Sequence, residues 1–384
     1  MSIINDDSKY IANTYARFPL AIARGKGALC YDEEGKEYID LGSGIAVNAF
    51  GYSDDEWVKA VTSQLSKVQH TSNLYYTEPC TRLAKMLCEK TGAKKVFFGN
   101  SGAEANECAI KVARKYAEDK GIEGAKIITL NNSFHGRTLA TLAATGQDVF
   151  HKSFLPLPDG FCHINAGDVD AFKALVEKEN IAAIMMEMVQ GEGGVMPLAE
   201  EFVKEVCRIA KEKDILVIVD EVQTGNGRCG ALYAYMNYGI KPDVVTTAKG
   251  LGGGLPIGCC MMFEKTENVL KSGDHGSTFG GNPVASAGAV GIIERIDEAL
   301  LSEVKEKSEI IFSSLTGAKG VKSVSGQGLM IGVETEKDAG EVIKECMGKG
   351  VLVIKAKNKV RLLPPLNIKT EELKKALDII KSCL

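Results

Sequence analysis

The chain alternates short apolar runs with segments whose apolar residues recur every three or four positions. Apolar runs of this length predict buried strands, whereas the helical spacing in 104–120 and 200–213 predicts amphipathic helices. Alternation of the two indicates a mostly parallel sheet with helices on both faces, an α/β fold. The predicted strands are 95–98, 127–130, 181–186, 215–219, 244–248 and 258–263.

The two ends of the chain show a different pattern, typical of a smaller α+β unit. Strand patterns at 28–31 and 37–40 flank a turn, and we expect them to pair with the carboxyl-terminal part. We therefore predict a large domain over 51–284 and a small α+β domain made of 1–50 and 285–384. In the carboxyl-terminal part, the predicted helices are 285–300, 301–315 and 370–383, and the predicted strands are 321–324, 329–333 and 360–362.

Composition excludes several classes of protein. The chain has 384 residues, 45% of them apolar, and a formal net charge of −4, which argues against a nucleic-acid-binding protein. It has no apolar run of about 18 residues that could span a membrane. The first residues lack a basic region followed by an apolar stretch, so we expect no secretory signal and a cytoplasmic protein.

The cysteines indicate free thiols. Their number, eleven, is odd, and no Cys-x-x-Cys spacing occurs; the one close pair is Cys259 and Cys260. This pattern favours buried thiols in a reducing compartment. The cysteines and the five histidines lack the short spacings of a zinc site, so we predict no bound metal.

Three polar residues each follow a different predicted strand. They are Asn100, Asp220 and Lys249. Because ligands bind at the carboxyl ends of strands in such sheets, these residues should converge on one rim. A lysine and an acid that face one cleft suit an aldehyde cofactor, with the amine forming a Schiff base and the carboxylate holding a protonated ring nitrogen. Taken alone, Lys249 is better explained as a strand-terminal lysine that reaches water.

The segment at 100–104 has the features of an anion site at the start of a helix. Ser101 and Glu104 have capping-box spacing, and Gly102 would let a phosphate approach the first backbone N–H groups. An ordinary capped helix explains this segment at least as well. Alanine at position 103 excludes the Gly-x-Ser-x-Gly elbow of a serine hydrolase.

Other strand-end segments offer weaker signals. Phe134 could stack on a cofactor ring and Arg137 could clamp a carboxylate, although a core phenylalanine and a surface arginine are the simpler explanation. The loop 186–194 places Glu187 and Glu192 near the same rim, where a glutamate could form an ion pair with an arginine of the site. An ordinary surface loop explains this segment equally well. Thr278 could reach a phosphate from 276–283, which otherwise resembles a flexible turn.

A glycine pattern at 225–230 matches the dinucleotide fingerprint and follows a strand. Its surroundings contradict that interpretation. The next helix candidate, 231–238, is short for a crossover, and Lys249 stands where an acid should bind a ribose. Asp220 would moreover repel a pyrophosphate.

These motifs together resemble the class III pyridoxal-phosphate aminotransferases, whose fold is that of aspartate aminotransferase (PLP fold type I). The resemblance runs from about residue 13 to residue 365, nearly the whole chain. The motifs occur in the family's order: HTSNLYY at 70–76, NSGAE at 100–104, FHGRT at 134–138, DEVQTG at 220–225, AKGLGGG at 248–254 and HGSTFGG at 275–281. Met188 and Cys229 stand where the family usually has proline and threonine.

The resemblance implies pyridoxal 5′-phosphate (PLP) as the cofactor. Lys249 would be the Schiff-base lysine and proton shuttle, and Asp220 would keep the pyridine nitrogen protonated. The backbone N–H groups of Gly102 and Ala103 would bind the phosphate, and the hydroxyl of Thr278 would reach it from a neighbouring subunit. Phe134 would stack on the ring, and Gln223 would hydrogen-bond the phenolic oxygen.

The resemblance also implies the substrate contacts and a homodimer whose active sites straddle the interface. Arg137, with Ser277 nearby, would bind the α-carboxylate of the substrate, and Arg361 would bind the carboxylate of 2-oxoglutarate. Glu192 resembles the family's gate, which pairs with that arginine when the diamine-derived substrate is bound.

The reaction implied is transfer of the δ-amino group of N2-acetylornithine to 2-oxoglutarate, giving N-acetylglutamate 5-semialdehyde and glutamate, a step of arginine biosynthesis. Succinyldiaminopimelate, succinylornithine, ornithine and 4-aminobutyrate share much of the donor's geometry and stay open as alternatives. A nicotinamide-dependent oxidoreductase and a catalytically silent cofactor-binding or scaffold protein are the interpretations from other classes.

Overall fold

The computed structural model describes residues 3–384. Its strands are β1 (Ile22–Lys26), β2 (Leu29–Asp32), β3 (Glu37–Asp40), β4 (Lys95–Gly99), β5 (Lys126–Leu130), β6 (Phe161–Ile164), β7 (Ile181–Met186), β8 (Val189–Gln190), β9 (Met196–Pro197), β10 (Leu216–Asp220), β11 (Val244–Thr247), β12 (Gly258–Met262), β13 (Val321–Gln327), β14 (Met330–Thr335), β15 (Val351–Leu352), β16 (Ile354–Ala356) and β17 (Lys359–Leu362).

The helices lie before, between and after these strands. They are α1 (Ile3–Tyr10), α2 (Ser43–Ala46), α3 (Asp55–Leu65), α4 (Glu78–Thr91), α5 (Gly102–Glu118), α6 (Leu139–Ala144), α7 (Val169–Lys178), α8 (Glu200–Glu212), α9 (Pro283–Glu294), α10 (Glu298–Leu315), α11 (Ala339–Gly348) and α12 (Thr370–Lys381). Short 3₁₀ turns cover Asp148–Phe150, Ala234–Tyr238 and Lys249–Leu251. Across residues 3–384, none of the helices has the length and apolar character needed to cross a bilayer.

The central sheet has seven strands in the order β4-β12-β11-β10-β7-β5-β6. Strand β12 runs antiparallel to both neighbours, and the other pairs are parallel. The six strands predicted for the large domain are all present in this sheet, which confirms the mostly parallel α/β fold. The seventh, β6, was not predicted, because its four residues include a histidine and a cysteine and form no clear apolar run.

Burial on both faces explains why these strands are apolar throughout. All six residues of β7 and all five of β10 are buried. Alternate residues point to opposite faces, so Leu216 and Ile218 pack in the cluster that includes α5, while Val217 and Val219 pack in the cluster that includes α8. The long apolar runs in the sequence are therefore the signature of a sheet between two helical layers.

The terminal segments form smaller sheets beside the central one. Strand β3 pairs with β2 and, in parallel, with β15, which confirms the predicted pairing of the amino-terminal strands with the carboxyl-terminal part. A second sheet has the order β13-β14-β17-β16. The boundaries of the two predicted domains, at residues 50 and 284, stay a prediction.

One predicted helix boundary in the carboxyl-terminal part is wrong. The predicted boundary between two helices at residues 300 and 301 is absent, because α9 already ends at Glu294 and α10 begins at Glu298. The cause is Asp297, whose side chain accepts a hydrogen bond from the backbone N–H of Leu300 and so caps the start of α10.

The short element α2, which follows β3 at the rim of the central sheet, is a left-handed turn and not a regular α-helix. Ser43, Gly44, Ile45 and Ala46 have consecutive φ values of 47°, 61°, 62° and 63°. For a residue with a side chain this conformation costs about 1–2 kcal/mol, so the surroundings must hold it in place. The buried carboxylate of Asp40 does so by accepting hydrogen bonds from the N–H groups of Gly42 and Ser43 at 2.7 and 3.1 Å.

We expect Asp40→Ala to lower the free energy of unfolding by about 3 kcal/mol, because it removes an acceptor shared by two buried N–H groups and the Tyr52 hydroxyl. Chemical denaturation would measure the change. Tyr52→Phe is the matched control: it removes only one of these hydrogen bonds and should cost about 1 kcal/mol. Equal stability of Asp40→Ala and the unmodified protein would show that the turn does not need this anchor.

Candidate active site

A cavity of about 440 Å³ opens at the carboxyl-terminal edge of the central sheet. Strands β4, β10 and β11 all run toward this edge, because β12, which lies between β4 and β11, is antiparallel to both. Seven of the residues predicted to form the site line the cavity together: Gly102, Ala103, Phe134, Arg137, Asp220, Gln223 and Lys249.

Asp220 ends β10, and three donors hold its carboxylate. Its Oδ2 accepts hydrogen bonds from Asn106 Nδ2 and His135 Nδ1, both at 2.8 Å, and its Oδ1 accepts the N–H of Val222 at 3.0 Å. Thr246 Oγ1 donates to Asn106 Oδ1 at 2.6 Å, so the amide of Asn106 is fixed as well. The carboxylate therefore has a single orientation and keeps acceptor capacity on Oδ1 for a donor in the cavity.

His135 is a functional candidate that the sequence patterns did not single out. It is 2% exposed, its N–H donates to Thr145 Oγ1, and its Nε2 has no hydrogen-bond partner in the described part of the chain. With Nδ1 bonded to Asp220, the ring helps to fix the orientation of that carboxylate. The FHGR segment offered a signal, but only the fold shows which group the histidine meets.

Lys249 begins the 3₁₀ turn that follows β11 and has a φ of 46°, a strained value for a residue with a side chain. Asn226 holds the preceding backbone by donating from Nδ2 to Thr247 Oγ1 and to the carbonyl of Ala248. Burial lowers the pKa of the Lys249 ammonium below its usual value, although the carboxylates of Glu192 and Asp220 oppose that change. A lowered pKa raises the share of neutral, nucleophilic amine.

The start of helix α5 presents free donors to the cavity. Ser101 Oγ accepts the N–H of Glu104, and the Glu104 carboxylate reaches back to the N–H of Asn100, so this end of the helix is rigid. Within residues 3–384 the N–H groups of Gly102 and Ala103 have no acceptor. Gly102 is also required by close packing, since a Cβ there would lie 2.6 Å from Val222 Cγ1.

Phe134 and Arg137 line one wall of the cavity, and Phe150 packs against both of them. The rings of Phe134 and Phe150 meet edge to face with centroids 6.0 Å apart. The guanidinium carbon of Arg137 lies 4.2 Å from the Phe150 centroid and 5.5 Å from that of Phe134. Arg137 is exposed, and no carboxylate or carbonyl among residues 3–384 pairs with it. Its donors are therefore available to a ligand.

Glu187 is buried beside this wall. Its carboxylate accepts the N–H of Phe134 at 3.1 Å and the N–H of Gly191 at 3.4 Å. Burial raises the pKa of Glu187 to about 7, and the charge of Asp220 contributes in the same direction. The cavity therefore contains a carboxyl group that changes charge near neutral pH.

The buried Arg361 and the partly exposed Glu192 form an ion pair next to the cavity. Arg361 Nη1 donates to Glu192 Oε1 at 2.6 Å and to Gln223 Oε1 at 3.0 Å. Burial opposes ionisation of Glu192, but the charge of Arg361 outweighs it and lowers the pKa of that carboxyl. Gln223, predicted to meet a cofactor, is thus also a neighbour of the predicted gate pair.

Four predicted site residues do not line the cavity of a single chain: Glu192 and Arg361, which lie next to it, and Ser277 and Thr278. Ser277 Oγ accepts a hydrogen bond from Asn100 Nδ2 at 3.1 Å, and Thr278 is exposed. Near them lie exposed apolar side chains that one subunit alone leaves uncovered: Leu74 (84% exposed), Tyr75 (70%), Tyr76 (101%) and Phe279 (58%).

The glycine pattern at 225–230 does not form a dinucleotide site. A Cβ on Gly225 would lie 2.7 Å from the Glu221 carbonyl and from Tyr233, and one on Gly227 would lie 3.0 Å from Leu366. These glycines therefore accommodate the protein's own groups, which leaves no approach for a pyrophosphate.

Comparison with known proteins agrees with this geometry. The family described as aminotransferase class-III matches residues 10–384. The acetylornithine aminotransferase of Haemophilus ducreyi is 49% identical over 381 residues, which cover 98% of this chain and 97% of that protein.

Two solved structures share the fold over 99% of this chain. The ornithine aminotransferase of Toxoplasma gondii, in which PLP partly occupies the active site, has a TM-score of 0.94 with 32% identity over 93% of its length. The N-acetylornithine aminotransferase of Stenotrophomonas maltophilia has a TM-score of 0.86 with 34% identity over 98% of its length. Because the family match spans nearly all of the sequence, the chain belongs to the class III aminotransferases.

Proposed function

We propose that this aminotransferase uses pyridoxal 5′-phosphate to transfer the δ-amino group of N2-acetylornithine to 2-oxoglutarate, a step of arginine biosynthesis. The products are N-acetylglutamate 5-semialdehyde and glutamate. The observation that carries the proposal is that one cavity joins the amine of Lys249, the carboxylate of Asp220 and the free N–H groups at the start of α5. These three partners suit, in the same order, the aldehyde, the basic ring nitrogen and the phosphate of the cofactor.

The residues present fit that cofactor. Gly102 and Ala103 would hold the phosphate through N–H groups at the positive end of a 17-residue helix, and Lys249 would hold the aldehyde. Asp220 Oδ1 would accept a hydrogen bond from the ring nitrogen, and Phe134 would stack on the ring. When bound, the cofactor supplies a ring that withdraws electrons from the carbon bearing the transferred amine.

Lys249 is the proposed proton carrier. Its lowered pKa lets the Nζ atom accept a proton from the amine-bearing carbon of the donor, and the flexible side chain lets it carry that proton. Asp220 contributes by maintaining positive charge on the ring nitrogen, and its own orientation is fixed by His135 and Asn106. The two residues thus divide proton transfer and charge stabilisation between them.

Two arginines would receive the carboxylates. The donor has one carboxylate, which Arg137 can bind with unpaired donors, while Arg361 stays neutralised by Glu192 at 2.6 Å. 2-Oxoglutarate has two carboxylates, and the second would displace Glu192 from Arg361. The ion pair would therefore let one site accept two substrates of different charge.

An acylated donor suits the charge around Arg137. Free ornithine would place its α-ammonium next to a guanidinium that no carboxylate contacts among residues 3–384. Acetylation removes that positive charge and the repulsion with it. The 49% identity to a protein named acetylornithine aminotransferase supports the same donor.

The site would be completed in a homodimer. Thr278 is exposed on its own chain, and the exposed apolar residues near it give a second chain a surface to cover. From there its hydroxyl would reach the phosphate held at the other subunit's α5, with Ser277 close to the substrate.

Comparing donors tests the substrate. With 2-oxoglutarate as acceptor, we expect the highest kcat/KM for N2-acetylornithine and lower values for succinylornithine, succinyldiaminopimelate, ornithine and 4-aminobutyrate. Steady-state measurement of glutamate formation would rank them. A higher kcat/KM for any other donor would assign the enzyme to that amine and retain only the transamination chemistry.

Replacing the proposed proton carrier gives the next test. We expect Lys249→Ala to lower kcat at least about a hundredfold, because the variant lacks the group that moves the proton. After borohydride reduction and digestion, mass analysis should find a pyridoxyl group on the peptide that contains residue 249 in the unmodified protein and none in the variant. A pyridoxyl group on another lysine of the unmodified protein would contradict the assignment.

Removing the gate charge should change substrate preference. We expect Glu192→Gln to lower the KM for 2-oxoglutarate and raise that for N2-acetylornithine, changing their ratio roughly tenfold, since Arg361 loses its competing carboxylate (about 1.4 kcal/mol). Glu192→Asp, which keeps the charge, is the control and should keep most of the preference. An unchanged ratio in Glu192→Gln would remove Glu192 from the gate.

A further inference from the structure

We propose that Phe150 is a specificity-determining residue, an aromatic platform that positions the guanidinium of Arg137 to receive the carboxylate of the amino donor. This inference rests on the proposed function and assigns a role to a residue outside the motifs of the chain. Phe150 lies thirteen positions after Arg137, at the end of the 3₁₀ turn Asp148–Phe150.

The geometry singles out Phe150 as the principal neighbour of the Arg137 guanidinium. The guanidinium carbon lies 4.2 Å from the Phe150 centroid, well within the range of a cation–π contact, and 5.5 Å from that of Phe134. Since no acceptor in the described chain pairs with Arg137, these two rings are what orients it. An aromatic face leaves the edge of a planar guanidinium, with its forked donors, free for a carboxylate.

The platform is rigidly mounted. The N–H of Phe150 donates to the Gln147 carbonyl at 3.0 Å, and Gln147 Nε2 donates to the carbonyl of Ser133 at 2.9 Å, directly before Phe134. His151 Nε2 lies 2.9 and 2.8 Å from the carbonyls of Leu142 and Thr145, which fastens the segment to the end of α6. Phe150 therefore has a fixed position relative to the backbone that carries Phe134.

The edge-to-face contact between Phe150 and Phe134 connects the two halves of the site. Phe134 lines the cavity at the proposed cofactor ring, and Arg137 at the proposed carboxylate. Because the Phe150 ring contacts both Phe134 and Arg137, it fixes the distance between the proposed cofactor ring and the proposed carboxylate site. That separation selects donors by the number of atoms between amine and carboxylate.

The test compares donors with and without a carboxylate. In the holoenzyme we expect Phe150→Leu to raise the KM for N2-acetylornithine about fivefold, the size of a partly exposed cation–π contact. The KM for N-(4-aminobutyl)acetamide, which has the same chain without the carboxylate, should change less than twofold. Phe150→Tyr, which keeps the aromatic face, should restore the value for N2-acetylornithine.

Phe154→Leu is the matched control. Phe154 is an aromatic residue of the same segment, 54% exposed, and it makes no ring or cation contact in the described chain, so its replacement should leave both KM values unchanged. The KM for N2-acetylornithine should be no higher in the double variant Arg137→Ala/Phe150→Leu than in Arg137→Ala alone, because Phe150 acts only through the guanidinium of Arg137. If Phe150→Leu does not fold, Phe150→Met, with a flexible apolar side chain, takes its place.

Calorimetric binding of N-acetylnorvaline, which carries the acetamide and carboxylate but no δ-amine, separates this inference from the proposed function. About fivefold weaker binding to Phe150→Leu supports the platform even if turnover of N2-acetylornithine fails. Unchanged affinity and KM, or an equal loss with both donors, would overturn it. Additive effects in the double variant would overturn it as well.

Discussion

A buried chain of hydrogen bonds from Thr246 through Asn106 to Asp220 and His135 fixes the centre of this molecule. Its members come from β11, α5, β10 and the segment after β5, so it ties together four elements that meet at one edge of the sheet. A buried carboxylate is costly unless its oxygens are satisfied, and here α5 and the segments after β5 and β10 supply three donors. The position of this one acid therefore depends on the correct assembly of the entire central layer.

Two segments with strained backbone lie near the same edge. Lys249 and the turn at Ser43–Ala46 both have left-handed φ values, and the carbonyl of Ala46 faces Gly250. Each strained segment is held by side chains, Asn226 in one case and Asp40 in the other. The rest of the fold thus provides the stability that keeps a lysine pointed into a cavity rather than into solvent.

The sequence predicted those parts of the protein that depend on local pattern. The six strands of the large domain followed from apolar runs, and the convergence of Asp220 and Lys249 followed from their places at strand ends. It did not predict contacts between distant positions: His135 meets Asp220 across 85 residues, and Gln223 meets Arg361 across 138. No periodicity carries that information, because it depends on which strands become neighbours.

Two errors concern the predicted helices and strands: a misplaced helix boundary and a strand that was not predicted. In each, an interaction that apolar periodicity does not reveal explains the error. Apolar periodicity continues through residues 285–315, but the Asp297 carboxylate offers the backbone a cap, and the helix restarts there. Strand β6 is short and mixed in composition, and it becomes a strand because β5 offers it an edge. For β6, an interaction that a window of sequence does not contain decides the outcome, whereas the Asp297 cap is local but leaves no mark on the apolar periodicity.

The direction of β12 has a consequence for the cofactor. Because β12 runs opposite to its neighbours, the chain leaves β12 at the edge of the sheet opposite the cavity and must return along the sheet before α9, where Thr278 is exposed on the surface of its own chain. If, in the proposed homodimer, the Thr278 hydroxyl serves the second chain, subunit association and cofactor retention are thermodynamically linked. By mass action, diluting the protein would then weaken its hold on the cofactor, and adding the cofactor would favour the paired state.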